Sequence, residues 1–221
     1  MIKNSIDCVI FGFHNNQLKV LLIERKQSPQ KGLMALPGDF VKADEDIDQC
    51  ALRTLKDIAS LENIYLEQIR AFGDVARYPV ERVITVGYYA LINIDHYSPV
   101  AGYTAKSLEW CDITNLPSLA FDHRAIIEEG FKMLQHKVRH EPIGFNLLPE
   151  TFSLTELQQL YEAILQTNLN KRNFRSKIDQ MQLLVDTGNK QENVSHKPAK
   201  LFKFNIEKYE KLVKEGLDFK L

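Results

Sequence analysis

Two stretches rich in hydrophobic residues lie near the amino terminus. Residues 7–13 and 18–24 contain mostly Val, Ile, Leu and Phe, and a polar tetrapeptide from His14 to Gln17 separates them. Such runs joined by a short polar segment are typical of a β-hairpin. Three further strands are predicted by apolar runs at 69–75, 82–94 and 108–112.

Hydrophobic residues at helical spacing mark two long segments between and after these strands. The first covers residues 46–60 and the second covers residues 122–138. A β-rich sequence with two long helices predicts an α+β domain over residues 1–140. The candidates for the buried face of the first helix are Ile47, Leu52, Leu55 and Ile58.

The pattern changes after His140. Pro142 and Pro149 interrupt the preceding helix, so we predict a linker over residues 141–149 and a second domain over residues 150–221. The second domain begins with Ser153 and Glu156, which have the spacing of a helix-capping box. A helix follows, and then a polar turn that ends at a predicted N-cap residue, Asn170.

The rest of the second domain predicts a helix, a two-stranded hairpin and a final helix. We expect the helix at about 171–184, the strands at 183–186 and 201–205, and the last helix at about 206–215. Helix, turn, helix and basic hairpin is the order of elements in a winged helix-turn-helix domain.

The predicted helix at 171–184 has one apolar face and one polar face. Phe174, Ile178 and Met181 form the apolar stripe, and Arg172 and Ser176 lie on the opposite face. In a DNA major groove, Arg can pair with guanine and Asn or Gln with adenine, while basic hairpin residues contact phosphates. The predicted DNA-binding residues are Lys171, Arg172, Asn173, Arg175, Ser176, Lys177, Gln180, Lys190, His196, Lys197 and Lys200.

Charge is distributed unevenly along a chain whose formal net charge is only −1. Residues 171–203 contain eight Lys or Arg and three acidic residues, which leaves a local charge of +5. Such a patch is typical of a surface that binds anions, although an ordinary solvated surface can have the same composition.

Composition limits the class of protein. The chain has 221 residues, 44% hydrophobic and 26% charged, as globular proteins do. No apolar run is long enough to cross a bilayer, and the first residues lack a signal-peptide pattern, so we expect a cytoplasmic protein. The three cysteines have no metal-binding spacing, and the histidines at 136 and 140 are expected to be a surface pair. We predict no metal site and no cofactor.

Residues 38–61 resemble the Nudix box, G-x5-E-x7-R-E-U-x-E-E-x-G-U, in which U is a bulky aliphatic residue. Glu45 matches the first glutamate, Arg53 the arginine and Leu61 the last aliphatic residue, while Asp39 stands at the glycine position. The alternative register, from Gly38 to Asp44, places a leucine at the arginine position and fits less well. An ordinary amphipathic helix after an acidic loop is the remaining alternative.

The resemblance to the Nudix box fails at the residues that carry the chemistry. In the family, three helix carboxylates at i, i+3 and i+4 share one face and hold Mg²⁺. Here these positions are Thr54, Asp57 and Ile58, so one carboxylate remains. Mg²⁺ bound through so few groups would be held weakly, and we predict no catalytic residues and no hydrolysis of nucleoside diphosphate compounds.

The chain as a whole resembles Nudix-related transcriptional regulators. The strings at 157–164 and 172–177 are similar to the carboxyl-terminal domain of that family. The resemblance implies a Nudix α/β/α sandwich followed by a winged helix, a homodimer, operator DNA as partner and a small-molecule effector. Because the metal ligands are lost, we expect the sugar-responsive, arabinose-type branch. The predicted effector-binding residues are Glu24, Arg25, Asp39, Arg77 and Tyr88.

Three alternatives to this hypothesis stay open. The chain could be an ADP-ribose-sensing regulator of NAD metabolism. It could be an active Nudix hydrolase of ADP-ribose type with an added nucleic-acid-binding domain, which the residues at 54 and 58 argue against. It could also be a non-catalytic adaptor that binds a protein through its carboxyl-terminal domain.

Overall fold

The computed structural model describes residues 2–62, 64–192 and 197–214. The chain forms two compact units: the first contains Met1–His14 and Leu18–Met133, and the second contains Asn15–Gln17 and Leu134–Leu221. The division falls inside a helix, seven residues before the predicted end of the first domain at 140. Among the described residues, no helix has the length and apolar character needed to cross a membrane.

Seven strands form the sheet of the first unit: β1 Lys3–His14, β2 Gln17–Arg25, β3 Met34–Ala35, β4 Gly38–Phe40, β5 Glu67–Phe72, β6 Val83–Ile92 and β7 Ala105–Asp112. Their order in the sheet is β3-β2-β1-β6-β5, with β4 paired to β1 and β7 paired to β2. β1 and β6 run parallel in the centre. The predicted hairpin between β1 and β2 is confirmed, and its turn places Asn15 and Asn16 at positive φ, which asparagine tolerates better than most residues.

One helix packs on each face of this sheet. Successive strand residues point to opposite faces. Ile6, Cys8 and Ile10 of β1 share a buried cluster with α1, Ile47–Ala59. The ring of Phe11 instead lies 6.4 Å from the ring of Phe131 on α2, His123–His140. This arrangement is the predicted α/β/α sandwich.

Helix α1 has well-defined ends. Asp46 and Gln49 form a capping box at its start, which satisfies backbone N–H groups that lack a helical partner. Ser60 ends the helix at φ 54°, in the left-handed region, at the position where the Nudix box has glycine. The predicted buried face is wrong at Leu52, which is 48% exposed. The buried residues of α1 are Cys50, Ala51, Thr54, Leu55, Ile58 and Ala59.

The second unit contains the predicted winged-helix elements. The capping box of Ser153 and Glu156 and the N-cap at Asn170 are both present. A bridge between Phe152 and Phe202 adds a third short strand to the hairpin. The predicted linker at 141–149 contains a 3-10 helix, Ile143–Leu147, and belongs to this unit. The other elements are α3 Leu154–Leu165, α4 Lys171–Met181, β8 Leu184–Lys190, β9 Lys200–Phe204 and α5 Ile206–Lys214.

Candidate effector cleft and nucleic-acid interface

A cleft opens on the first unit beside the short strand β4. The end of β2, the segment between β5 and β6 and the residues before α2 also form its walls. Its lining combines charged, polar and aromatic side chains, as ligand sites commonly do. The lining residues are Ser5, Ile6, Asp7, Ile23, Arg25, Gln27, Ser28, Leu36, Gly38, Asp39, Phe40, Arg77, Tyr78, Val83, Thr104, Phe121 and His123.

Aromatic rings form a continuous chain along the cleft. The ring of Tyr78 lies edge-on to Phe40, at 6.0 Å between centroids, and 5.2 Å from the ring of Phe121. The ring of Phe121 is in turn 5.4 Å from His123. Aromatic walls of this kind stack planar groups such as nucleobases.

Arg25 supplies the cleft with a cation that forms no ion pair with any residue the structure describes. Its guanidinium lies 4.8 Å from the centroid of Phe121, and its Nε donates to the carbonyl of Pro29 at 3.1 Å. Burial lowers the pKa of this guanidinium, which nevertheless stays charged at neutral pH. The remaining N–H groups of Arg25 are suited to an anionic oxygen.

A buried polar group forms the floor of the cleft. Asp7 accepts hydrogen bonds from Thr85 at 2.8 Å and from Arg77 at 3.2 Å. The backbone N–H of Leu36 donates to Nδ1 of His123 at 2.9 Å, so the ring proton is on Nε2, which lies 3.4 Å from the Asp7 carboxylate. Burial lowers the pKa of His123 and favours the neutral ring.

The Nudix-box arginine has a structural role. Arg53 forms a two-pronged pair with Glu45, at 2.7 Å for each bond, and donates to Asp39 at 2.8 Å. The hydrogen bonds from Arg53 lower the pKa of Glu45 to about 2, and the same pair raises the pKa of Arg53. Arg53 therefore fixes the loop that carries Asp39 into the cleft.

The residues at the metal positions of the box do not fit Mg²⁺. Thr54 and Ile58 are fully buried, and Ile58 packs in an apolar cluster with Ile23, Ala35, Ala105 and Ala120. Asp57 is the one carboxylate at these three positions, and it lies 3.7 Å from Arg53. Within the described part of the chain, no group of three or more His, Cys, Asp and Glu side chains is placed to hold a metal.

Of the predicted effector-binding residues, three line the cleft and two do not. Arg25, Asp39 and Arg77 are in its wall. Glu24 points away from it, because neighbouring strand residues face opposite ways, and pairs with Lys106 at 2.8 Å. Tyr88 is 2% exposed, and its hydroxyl contacts Asp48 and Gln68 beside α1. We therefore exclude both from the cleft.

Sequence reasoning also missed several residues of the cleft. The aromatic residues at 40, 78 and 121 come from separate loops and strand ends, so no local spacing connects them. Asp7 did carry a signal, because a carboxylate inside an apolar strand is rarely buried without a partner. Its partner Arg77 is 70 residues away along the chain.

In the second unit, α4 presents a polar surface. Phe174 and Ile178 are buried, as predicted, and Asn170 accepts from the backbone N–H groups of Arg172 and Asn173 at 3.1 Å. The predicted DNA-binding residues of α4 that are exposed are Lys171, Arg172, Asn173, Ser176, Lys177 and Gln180.

Arg175 differs from these neighbours. It is half-buried, and its guanidinium lies 3.4 Å from the hydroxyl of Thr155 on α3. Because this contact and its burial hold the side chain against the domain, the structure does not present Arg175 as freely as Arg172.

The hairpin carries the other predicted DNA-binding residues. Lys190 and Lys200 face each other across the strands, and Lys200 pairs with Asp186 at 2.7 Å. The hydrogen bond from Lys200 lowers the pKa of Asp186. Lys197 is exposed. His196 lies outside the described residues, and its predicted role is untested.

Two family models match the chain. The NUDIX domain matches residues 1–130, and the NrtR DNA-binding winged helix domain matches residues 144–204. A relative described as the ADPR responsive transcriptional repressor NtrR of Acinetobacter baylyi is 35% identical over 210 residues, which cover 93% of this chain and 83% of that protein.

Solved structures with the same architecture include two from Shewanella oneidensis. NrtR complexed with a 27mer DNA is 31% identical, with a TM-score of 0.76, and the match covers 93% of this chain and 95% of that chain. The NUDIX domain of NrtR complexed with ADP ribose is 32% identical, with a TM-score of 0.55, and the match covers 59% and 87%. These relatives do not support the sugar-responsive branch that we expected. The chain belongs to the NrtR family, in which a Nudix domain is followed by a DNA-binding winged helix domain.

Proposed function

We propose that this protein is a transcriptional repressor that binds operator DNA through its winged helix and ADP-ribose through its Nudix domain. The observation that carries the proposal is the full-length similarity to an ADP-ribose-responsive repressor. Exposed cations on α4 and on the hairpin supply the electrostatic surface that duplex DNA requires. The homodimer expected for a palindromic operator stays a prediction.

The chemistry of the cleft supports ADP-ribose over a free pentose. A diphosphate needs cationic donors, and the guanidinium of Arg25 pairs with no described carboxylate that would compete for it. A purine needs a flat apolar surface, and Tyr78 and Phe121 provide one. A pentose would use neither feature. Losing the Mg²⁺ ligands removes the means of hydrolysis without removing these binding groups.

We further propose that the Nudix domain binds its effector without cleaving it. Ile58 is packed in an apolar cluster, and Arg53 holds Glu45 and lies beside Asp57. Neither arrangement offers the converging carboxylates with which a Nudix helix neutralises a pyrophosphate.

Thermal shift and calorimetry test the effector. ADP-ribose at a hundredfold excess over its Kd should stabilise the protein by about 2.7 kcal/mol, which raises the Tm by roughly 5–10 °C. Arg25→Gln should reduce affinity at least tenfold. Arg70→Gln is the matched control, because Arg70 also lies over an aromatic ring, Phe72, but outside the cleft. Stabilisation by arabinose and not by ADP-ribose would overturn the assignment.

Two further measurements complete the test. A duplex selected from a random library by the full-length protein should bind in a salt-dependent way, and ADP-ribose should change that affinity. Incubation of ADP-ribose with the protein and Mg²⁺, followed by chromatography, should give no AMP. Turnover that Asp57→Asn abolishes would make the hydrolase alternative correct.

A further inference from the structure

An ion cluster around the buried Arg77 connects the floor of the cleft with the partly exposed Asp122 at the start of α2. Arg77 donates to both oxygens of Asp122, from Nε at 2.9 Å and from Nη2 at 2.8 Å, and Nη2 also donates to Asp7. The Arg77 side chain is 4% exposed. Buried ion pairs contribute little net stability compared with apolar packing, so one that lies beside a ligand site invites a functional explanation.

The guanidinium of Arg77 has one nitrogen left for a ligand. Nε and Nη2 make the bonds to the two carboxylates, whereas Nη1 has no hydrogen-bond partner among the residues that the structure describes. Arg77 lines the cleft, whereas Asp122 does not. An anionic oxygen bound at Nη1 would therefore share the positive charge of this single side chain with Asp122.

Asp122 and the residue after it form the start of α2. The carbonyl of Asp122 accepts from the backbone N–H groups of Ala125 at 2.9 Å and Ile126 at 3.3 Å, which begin the helix. His123 is its first residue and is bound to Leu36 and close to Asp7. The first turn of α2 is thus attached to the cleft floor through two side chains.

Helix α2 continues without a break into the second unit. The two units divide between Met133 and Leu134, and the helix ends at His140. Within the second unit, the side chain of Gln135 donates to the carbonyl of Ile164 on α3 at 2.9 Å. A change at the first turn of a continuous helix can be passed along it, because a packed helix moves as a rigid element.

We propose that Arg77 is a positioning residue that couples effector binding to DNA binding. An effector phosphate bound at Arg77 weakens its pair with Asp122 and shifts the first turn of α2, and the helix carries the shift to the winged-helix unit. The effect requires that the effector bind the two positions of α2 with different affinities. By linkage, DNA binding must change the affinity for the effector by the same factor by which the effector changes the affinity for DNA. This inference rests on the proposed function.

The test separates effector affinity from coupling in the full-length protein. Calorimetry gives the Kd for ADP-ribose, and fluorescence anisotropy gives the Kd for the selected duplex with and without saturating ADP-ribose. The ratio of the two DNA constants is the coupling factor. Asp122→Asn keeps the side-chain shape but removes the charge that competes for Arg77. It should leave ADP-ribose affinity within threefold or increase it, while the coupling factor falls at least fivefold.

A control and a second variant complete the design. Asp112→Asn is the control for removing an aspartate charge, because the Asp112 side chain accepts from Thr114 in its own turn and pairs with no arginine that the structure describes. It should leave the coupling factor unchanged. Arg77→Lys keeps the charge, but one ammonium group cannot reproduce the paired bonds to Asp122 together with a bond to a ligand in the cleft. The coupling factor of Arg77→Lys should therefore also fall. If circular dichroism shows that Asp122→Asn does not fold, the fivefold fall in the coupling factor is required of Arg77→Lys instead.

The outcomes distinguish this inference from the proposed function. If the wild-type protein binds no ADP-ribose, the proposed function is wrong and the coupling role is wrong with it. If the wild-type protein binds ADP-ribose and both variants keep the wild-type coupling factor, Arg77 does not couple the sites and the proposed function stands. The coupling role would also be wrong if every variant, including Asp112→Asn, lost coupling to the extent that its Tm fell.

Discussion

Replacing Arg53 by Met should destabilise the first unit without touching the cleft directly. Arg53 is 17% exposed and is bonded to Glu45 and Asp39, whose side chains are 10% and 23% exposed. Removing one partner of a fully buried pair costs about 3–5 kcal/mol. Water can partly reach both carboxylates here, so we expect a loss of about 2–4 kcal/mol. Arg53→Lys keeps the charge but loses the two-pronged geometry, and its loss should be smaller.

Urea unfolding followed by tryptophan fluorescence measures this loss. The chain has a single tryptophan, Trp110 on β7, so the signal reports on the first unit. Arg70→Met is the control, because Arg70 is an exposed arginine whose acidic neighbour, Glu129, is 4.0 Å away. Exposed pairs contribute at most about 1 kcal/mol. If Arg53→Met costs no more than Arg70→Met, the structural role of Arg53 is refuted.

The same pair predicts a dependence on pH. The pKa of Glu45 is about 2 in the folded protein against an ordinary value of 4.5, because Arg53 donates to it. A carboxylate whose pKa is lower in the folded state stabilises the fold at a pH above its pKa in the unfolded state. This stabilisation is lost as the pH falls toward the pKa of the folded state. Arg53→Met lacks it. The difference in stability between the two proteins should therefore narrow from about pH 6 to about pH 3.5, and a constant difference would contradict the assignment.

The remaining predictions concern DNA binding, a buried histidine and a close backbone approach. Arg172→Ala should weaken binding to the selected duplex by about 1–3 kcal/mol and relax its sequence preference in a competition assay. Lys197→Ala should weaken binding to every duplex and reduce the slope of log K against log salt by about one. The pKa of His123 is lowered in the fold, so stability should fall as the pH drops below about 6.5, and His123→Gln should flatten the Tm profile between about pH 7.5 and 5.5. Parallel Tm profiles for the wild-type protein and His123→Gln would show that His123 does not cause the loss of stability at low pH. A Cβ at Gly102 would overlap the carbonyl oxygen of Asp57, so Gly102→Ala should cost at least about 1–3 kcal/mol in urea unfolding.

The effector of a Nudix domain depends on more than the metal ligands of the box. The lost carboxylates at Thr54 and Ile58 suggested a neutral sugar, because Mg²⁺ could no longer offset a diphosphate. Under the proposed function, the guanidinium of Arg25, which lies over the ring of Phe121, would offset the charge of the diphosphate. The residues of the box indicate whether the helix can bind the metal for hydrolysis. The ligand is determined by binding groups that lie outside the box.

Elements with local causes could be predicted from the amino-acid sequence. The capping box at Ser153, the N-cap at Asn170 and the turn before residue 18 depend on neighbours within a few residues, and all three are present.

The residues that line the cleft depend on long-range packing, which no local pattern predicts. Glu24 and Arg25 are adjacent in sequence, yet one pairs with Lys106 at the surface and the other enters the cleft. Leu52 is apolar and three residues before the buried Leu55, but it lies to one side of the buried stripe of α1 and is exposed. Asp7, Arg77 and Asp122 come together from three distant segments. Their contact depends on the packing of a sheet, a loop and a helix, and no short-range pattern encodes that packing.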